Sequence, residues 1–185
     1  MEHEILTEMA EKMDKTVEAF SHELSTVRTG RASSSLLENI EVDAYGAKMK
    51  LMQLATISAP EARLLTVQPF DKSTIGPIEK AIITSPLELT PANDGHLIRV
   101  PLPALTEERR KDLVKLVHKY AEECRVSIRN ARRHAMEEAK RLQKDGEMPE
   151  DDAHRLTAEV QKQVDHYIEK IDDMLKHKED EITEV

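Results

Sequence analysis

The sequence predicts an α+β protein, in which a bundle of three long helices carries a small inserted domain of strands and one short helix. Charged residues make up 34% of the 185 residues, and the chain has 5 Gly, 3 Tyr, 2 Phe and no Trp. This composition argues against an all-β sandwich and is typical of amphipathic helices packed as a bundle. Three segments carry apolar residues at helical spacing, whereas the segment between the first two holds seven of the 8 prolines.

The first helix is predicted over residues 2–28. Leu6, Met13 and Phe20 recur every seven residues, and further apolar residues fill the positions between them. Such spacing places these side chains in one stripe along the helix. Gly30 is expected to adopt the left-handed conformation that commonly follows the end of a helix.

The second and third helices are predicted over 106–144 and 149–183. Thr106 is the expected N-cap of the second helix, Asp145-Gly146 its end, and Pro149 a first-turn residue of the third. The second apolar stripe is Leu113, Val117, Tyr120, Cys124, Ile128, Ala131, Ala135, Ala139 and Leu142. The third stripe is Ala153, Leu156, Val160, Val164, Tyr167, Ile171, Met174, Lys178 and Ile182. Because Lys178 interrupts this stripe, the end of the third helix is expected to fray.

The segment between the first two helices is predicted to form a small α+β domain. Its expected elements are strands at 40–44, 49–57, 64–68, 87–90 and 96–100, a helix at 74–84, and turns at Tyr45-Gly46 and Asn93-Asp94-Gly95. An irregular excursion packed on the bundle is the alternative, but 75 residues can hold a core of their own. The expected domains are 1–29 with 106–185, and 31–104. Two chain crossings would join them as a hinge near 29–31 and 101–105, formed by Thr29, Gly30, Arg31, Pro101, Leu102, Pro103 and Ala104.

The net charge of −9 conceals a basic segment in an acidic chain. Residues 106–144 carry 12 basic and 7 acidic groups, whereas 145–185 carry 5 and 14. The second helix contains an arginine face, defined here as Arg125, Arg129, Arg132 and Arg133. These four residues lie within about 100° of arc, and neither Arg129 nor Arg132 has an acidic residue three or four positions away. Guanidinium groups suit phosphates, so an RNA-facing surface is predicted, which Arg28 and Arg31 would extend. A solvated face with intrahelical ion pairs is the alternative.

The sequence offers little for catalysis or metal binding. Cys124 is the single cysteine and lies on an apolar stripe, and no two of the 8 His stand at i, i+3 or i, i+4. Asp151 and Asp152 are interpreted as acids favoured at a helix N-terminus, so no catalytic residue, metal or cofactor is predicted. The acidic N-terminus lacks the features of a signal peptide, and no apolar run approaches about 18 residues. A cytoplasmic protein is expected.

Two other classes of function remain open from the residues alone. One is a helical adaptor that binds proteins through its apolar stripes, for which the arginine face would not matter. The other is a hydrolase that uses the carboxylates of the acidic C-terminal segment, whose turnover would depend on a metal ion.

Several motifs, taken together and in order, closely resemble the bacterial ribosome recycling factor family over essentially the whole chain. They are Thr29-Gly30-Arg31-Ala32-Ser33, Tyr45-Gly46, Gln53-Leu54-Ala55, the segment 99–111 (RVPLPALTEERRK), Arg129-Asn130-Ala131-Arg132-Arg133 and Pro149-Glu150-Asp151-Asp152.

The resemblance implies an L-shaped monomer of about the size of a transfer RNA, with a flexible hinge between the bundle and the small domain. Such a protein binds the post-termination ribosome in the intersubunit space and, with elongation factor G and GTP, splits it into subunits. The bundle would lie on large-subunit ribosomal RNA, with Arg132 as the foremost contact, then Arg129, supported by Arg28 and Arg133. The small domain would meet elongation factor G. No membrane, cofactor or catalytic residue is implied.

Overall fold

A computed structural model describes residues 2–184 and has the predicted α+β class. The helices are α1 (Glu2–Ser25), α2 (Ser35–Glu38), α3 (Ile75–Thr84), α4 (Glu107–Lys144) and α5 (Glu150–Thr183). The strands are β1 (Glu41–Ala44), β2 (Ala47–Lys50), β3 (Ala55–Glu61), β4 (Leu64–Pro69), β5 (Ala92–Asn93) and β6 (Ile98–Pro101). In the described chain, no helix combines the length and apolar character needed to cross a bilayer.

The chain divides into two compact units. The first comprises the residues up to Leu24 together with Val114–Asp180, and the second comprises Ser25–Leu113 with the residues from Glu181 onward. These limits fall near the ends of the long helices, whereas the predicted domains meet at 29–31 and 101–105. The division into domains at 29–31 and 101–105 therefore stays a prediction.

The first unit is a bundle formed by α1, α4 and α5. Most of the predicted stripe positions are buried, but Leu6 and Tyr167 are only half-buried, and at two other positions the neighbouring residue is buried instead. Ala121 is fully buried where Tyr120 was expected, and Tyr120 is only half-buried. Leu175 is 6% exposed where Met174 was expected, and Met174 is half-buried. Both changes move the buried position by one residue, because two adjacent apolar side chains satisfy the helical spacing almost equally well.

The packing of α5 makes a direct prediction about stability. Leu175→Ala should lower the free energy of unfolding by about 2–5 kcal/mol, since it empties a closely packed site. Met174→Ala, one residue earlier and half-buried, should cost about 1 kcal/mol. Chemical denaturation of the two variants beside the wild type measures both values. A larger loss for Met174→Ala would show that the sequence-based assignment of the stripe was the better one.

Helix α1 ends three residues earlier than predicted, at Ser25 rather than Arg28. The prediction that Gly30 adopts a left-handed conformation is wrong, because the positive-φ glycines of the described chain are Gly46, Gly95 and Gly146. Serine and threonine side chains compete with the helical backbone, and Ser25-Thr26 is where α1 ends. The chain has therefore left the helix several residues before Gly30.

The predicted termini of α4 are confirmed. The backbone N–H of Arg109 donates to Thr106 Oγ1 at 3.1 Å, so Thr106 caps the helix. At the other end Gly146 has φ +75°, and the N–H groups of Glu147 and Met148 both donate to the carbonyl of Leu142. These bonds satisfy a carbonyl group that the end of the helix would otherwise leave unpaired.

Helix α5 does not fray at Lys178, contrary to the prediction. Pro149 directly precedes this helix and accepts a hydrogen bond from the N–H of Ala153 at 3.0 Å. The helix continues to Thr183, and Ile182 is fully buried. Lys178 is itself half-buried, and a lysine can cover apolar surface with its aliphatic stem while its charge stays in water. A charged residue in the stripe therefore does not end the helix.

The second unit contains two antiparallel sheets around an apolar core of its own. Strands β1 and β2 form a hairpin, and the other four strands pair in the order β3-β4-β6-β5. Ile78 and Ile82 of α3 belong to the same core as Val42, Leu65 and Val67 of the strands. The hairpin turns at Tyr45-Gly46 as predicted, with φ of 53° and 76°, which matches the turns that suit the twist of a hairpin.

Two predicted strands of this unit are wrong. The run 49–57 is broken by a 3₁₀ turn at Leu51–Gln53, which separates β2 from β3. The run 87–90 forms no strand, and the edge strand beside β6 is Ala92–Asn93 instead. Glu88 within that run has φ 53°, a left-handed conformation that a strand cannot contain.

Candidate nucleic-acid interface

The four residues of the arginine face all lie on α4, within the first compact unit. They follow or flank the buried positions Cys124, Ile128 and Ala131, so the apolar stripe that anchors the helix also determines where they point. Arg129, Arg132 and Arg133 are exposed, whereas the side chain of Arg125 is only 23% exposed. The face thus has three exposed arginines and one partly buried one.

Arg125 has a structural partner on the neighbouring helix. Its Nη2 donates to Asp172 Oδ1 of α5 at 2.6 Å, and its Nη1 lies 3.5 Å from Glu122 Oε2. The hydrogen bond with Asp172 is the main cause that raises the pKa of Arg125. Arg125 therefore connects α4 to α5, and its donors are largely occupied.

Arg129 is paired, although the sequence shows no acidic residue at the usual contact spacing on its helix. Its Nη2 donates to Glu122 Oε1 at 2.5 Å, two turns earlier in α4. The same hydrogen bond is the main cause that lowers the pKa of the Glu122 carboxyl group. The side chains of Arg129 and Glu122 are 54% and 56% exposed, so this ion pair lies in solvent.

Arg132 and Arg133 have fewer intramolecular contacts than the other two residues of the arginine face. Among residues 2–184, no hydrogen bond or ion pair is formed by the guanidinium of Arg132. Arg133 Nη2 donates to the neutral side chain of Asn130 at 3.2 Å. Arg132 therefore presents all of its donors, and Arg133 most of its own, to an anion arriving from solvent.

Arg28 and Arg31 lie in the second unit, each with a partner there. Arg28 Nη2 donates to the carbonyl of Pro103, while its Nε is buried without a hydrogen-bond partner. Burial, and then the charge of Arg109, lowers the pKa of Arg28. Arg31 Nη2 donates to Glu184 Oε1 at 2.9 Å. That both residues contact RNA stays a prediction.

The two chain crossings predicted as a hinge are connected by Arg28, a link with no signal in the sequence. Arg28 precedes the first crossing, and its bond to Pro103 reaches the second. Leu102 is anchored to the sheet, since it is 3% exposed and its N–H donates to the carbonyl of Arg63 at 2.8 Å. Gly30 has open space around the position of a Cβ atom. The hinge itself stays a prediction.

Two other titratable side chains, those of Cys124 and Asp94, are accounted for by their structural surroundings. Burial raises the pKa of the Cys124 thiol to about 11, so the thiol is protonated at neutral pH. The N–H groups of His96 and Leu97 donate to Asp94 Oδ1, and with Arg99 they lower the pKa of Asp94 to about 2. Within residues 2–184, no group of three or more acidic, His or Cys side chains is arranged to hold a metal ion.

Comparison with known proteins gives a consistent result over the full length. The family model described as ribosome recycling factor matches residues 20–183. Ribosome-recycling factors from Bacillus cytotoxicus and Bacillus cereus are 54% and 55% identical over 185 residues, covering 100% of both chains in each case.

Solved structures agree with the sequence relatives. A solution structure of the ribosome recycling factor superposes with a TM-score of 0.84 at 42% identity, covering 100% of this chain and 98% of that one. The T. thermophilus ribosome recycling factor, described together with E. coli elongation factor G bound to the E. coli post-termination complex, gives 0.72 at 45% identity over 98% of each chain. This chain belongs to the ribosome recycling factor family.

Proposed function

We propose that this protein, together with elongation factor G and GTP, splits post-termination ribosomes into subunits and frees them for another round of protein synthesis. Membership of the family supports this function. A family member that is 45% identical has been placed with elongation factor G on a post-termination complex. The protein acts as a monomer in the cytoplasm and needs no catalytic residue, because GTP hydrolysis belongs to the elongation factor.

The arginine face binds large-subunit ribosomal RNA. The observation that supports this assignment best is the exposed guanidinium of Arg132, which has no partner among the described residues. Unneutralised arginines on a rigid helix suit phosphates at fixed spacing, and their binding releases counterions from the RNA. Arg129 and Arg133 lie beside Arg132 and add to the contact, whereas Arg125 mainly holds α4 against α5.

The mechanism needs a rigid part and a movable part. The bundle stays on the ribosomal RNA while elongation factor G pushes the small domain, which turns about the crossings at 29–31 and 101–105. The helices then transmit the force to the subunit interface, since an α-helical rod of 38 residues deforms little under load.

Light scattering from purified post-termination ribosomes tests the function. Addition of the protein with a matched elongation factor G and GTP should lower the scattering as the ribosomes split, and leaving out GTP should abolish the change. The same mixture without the protein is the control. If scattering stays constant with all components present, the proposed function is wrong and the adaptor hypothesis takes its place.

A further inference from the structure

We propose that Glu122 is an internal competitor for the RNA backbone: it holds Arg129 in the free protein and gives it up to a phosphate when the arginine face binds. The proposal rests on the function proposed above. Its consequence is that the wild-type face binds ribosomal RNA less tightly than its arginines would allow, which favours release of the factor after each round of splitting.

The contacts of Glu122 allow such an exchange. One carboxylate oxygen accepts a hydrogen bond from Arg129 at 2.5 Å, and the other lies 3.5 Å from Arg125. Arg125 is held separately by Asp172 at 2.6 Å, so it stays in place when Arg129 moves. Glu122 therefore keeps a cationic neighbour after Arg129 has turned to a phosphate.

The exposure of this pair makes the exchange feasible. Ion pairs in solvent contribute little to stability, and a phosphate accepts charge-assisted hydrogen bonds from an arginine as a carboxylate does. The free energy needed to break the pair with Glu122 is nevertheless subtracted from the gain, so Arg129 contributes less to RNA binding than an unpaired arginine would.

Arg132 and Arg129 would consequently play different parts. Arg132 has no carboxylate to leave and can contact a phosphate directly. Arg129 contributes only after its bond to Glu122 has been broken. Arg132 is free to bind RNA, whereas Arg129 is first held by Glu122. The arginine face therefore binds RNA firmly enough for the factor to dock and loosely enough for it to dissociate.

Glu122→Gln tests the proposal, with Glu123→Gln as its matched control. Both variants remove one negative charge from α4, but no ion pair with any described residue is formed by the Glu123 side chain. Binding of each protein to purified large ribosomal subunits is measured as a function of salt, beside the wild type and Arg132→Ala. The double variant Glu122→Gln/Arg129→Ala shows whether any gain in affinity depends on Arg129.

The expected result is specific to position 122. Glu122→Gln should bind about three- to tenfold more tightly near 0.1 M salt, with a slope of log affinity against log salt close to that of the wild type, because Arg129 contacts a phosphate in both complexes. Glu123→Gln should bind like the wild type. Adding Arg129→Ala should remove the gain.

The contrary results separate this proposal from the function on which it rests. Weaker binding by Glu122→Gln would show that Glu122 positions Arg129 and does not compete for it. Equal gains in both glutamine variants would reduce the effect to net charge and overturn the proposal. If Arg132→Ala binds as tightly as the wild type, the arginine face is not the RNA contact and this proposal is wrong, although splitting of ribosomes by the wild type would still support the proposed function. If the wild type neither binds nor splits ribosomes, both proposals are wrong.

Discussion

Arg132→Ala is expected to weaken binding to the large ribosomal subunit by about 10- to 100-fold and to slow ribosome splitting correspondingly at limiting concentrations of the factor. A hydrogen bond to a charged group contributes about 1.5–3 kcal/mol, and Arg132 has no described intramolecular partner with which an RNA phosphate must compete. The slope of log affinity against log salt should also fall by about 0.7–0.9. Sedimentation with ribosomal subunits measures affinity, and light scattering measures splitting.

Arg141→Ala is the matched control for this prediction. Arg141 lies on the same helix, nine residues further on and about 180° away around the axis. It is ion-paired with Glu138 at 2.6 Å and Asp145 at 3.1 Å. Both substitutions remove one arginine from α4, but on opposite faces of the helix, and Arg141 is already neutralised by its own ion pairs. Because Arg132 is exposed and without a described partner, its removal should leave the thermal midpoint unchanged. Equal binding by the two variants would place the RNA contact elsewhere.

The long helices were predictable because their apolar spacing repeats over many turns and tolerates an error of one residue. The helices α4 and α5 begin and end within a residue of the prediction. The structure buries Ala121 where Tyr120 was predicted and Leu175 where Met174 was predicted. In both cases two apolar residues are adjacent in the sequence. Which one is buried depends on the neighbouring helices, and the spacing within one helix does not contain that information.

The small domain was harder to predict because its strands are short. A strand of two residues, such as β5, has too few alternating positions for its pattern to differ from that of a loop. The left-handed conformation of Glu88 excludes a strand at 87–90, yet a non-glycine residue gives no sign of it in the sequence. The turns at Tyr45-Gly46 and Asn93-Asp94-Gly95 were predictable because glycine and asparagine mark them directly.

The arginine face was visible in the sequence, but its ion pairs were only partly so. Ion pairs within a helix usually join residues three or four positions apart. Arg129 and Glu122 are seven residues apart, about 10.5 Å along the axis, and two long side chains bridge that distance. The bond between Arg125 and Asp172 joins different helices and has no signature in the chain.

The second large effect is expected from stiffening the first crossing. Gly30→Pro would fix one backbone torsion and restrict Thr29 before it. If elongation factor G must turn the small domain, ribosome splitting should slow by about tenfold, because hinge residues absorb the backbone rotation that such a motion requires. Binding to the large subunit should be retained, because the arginine face lies on α4 and is not altered.

Gly30→Ala is the control that separates stiffness from the addition of a side chain. A Cβ atom at position 30 meets nothing within 4 Å, and Gly30 does not have positive φ, so alanine fits the existing backbone. This variant should split ribosomes at nearly the wild-type rate.

Gly30→Val restricts the backbone more than alanine does and keeps the N–H group. Its rate of ribosome splitting should lie between those of the alanine and proline variants, and it replaces the proline variant if that variant does not fold. A folded Gly30→Pro that binds and splits at full rate would show that motion at this crossing is not needed. Force from the elongation factor would then have to reach the subunit interface without bending the chain at 29–31.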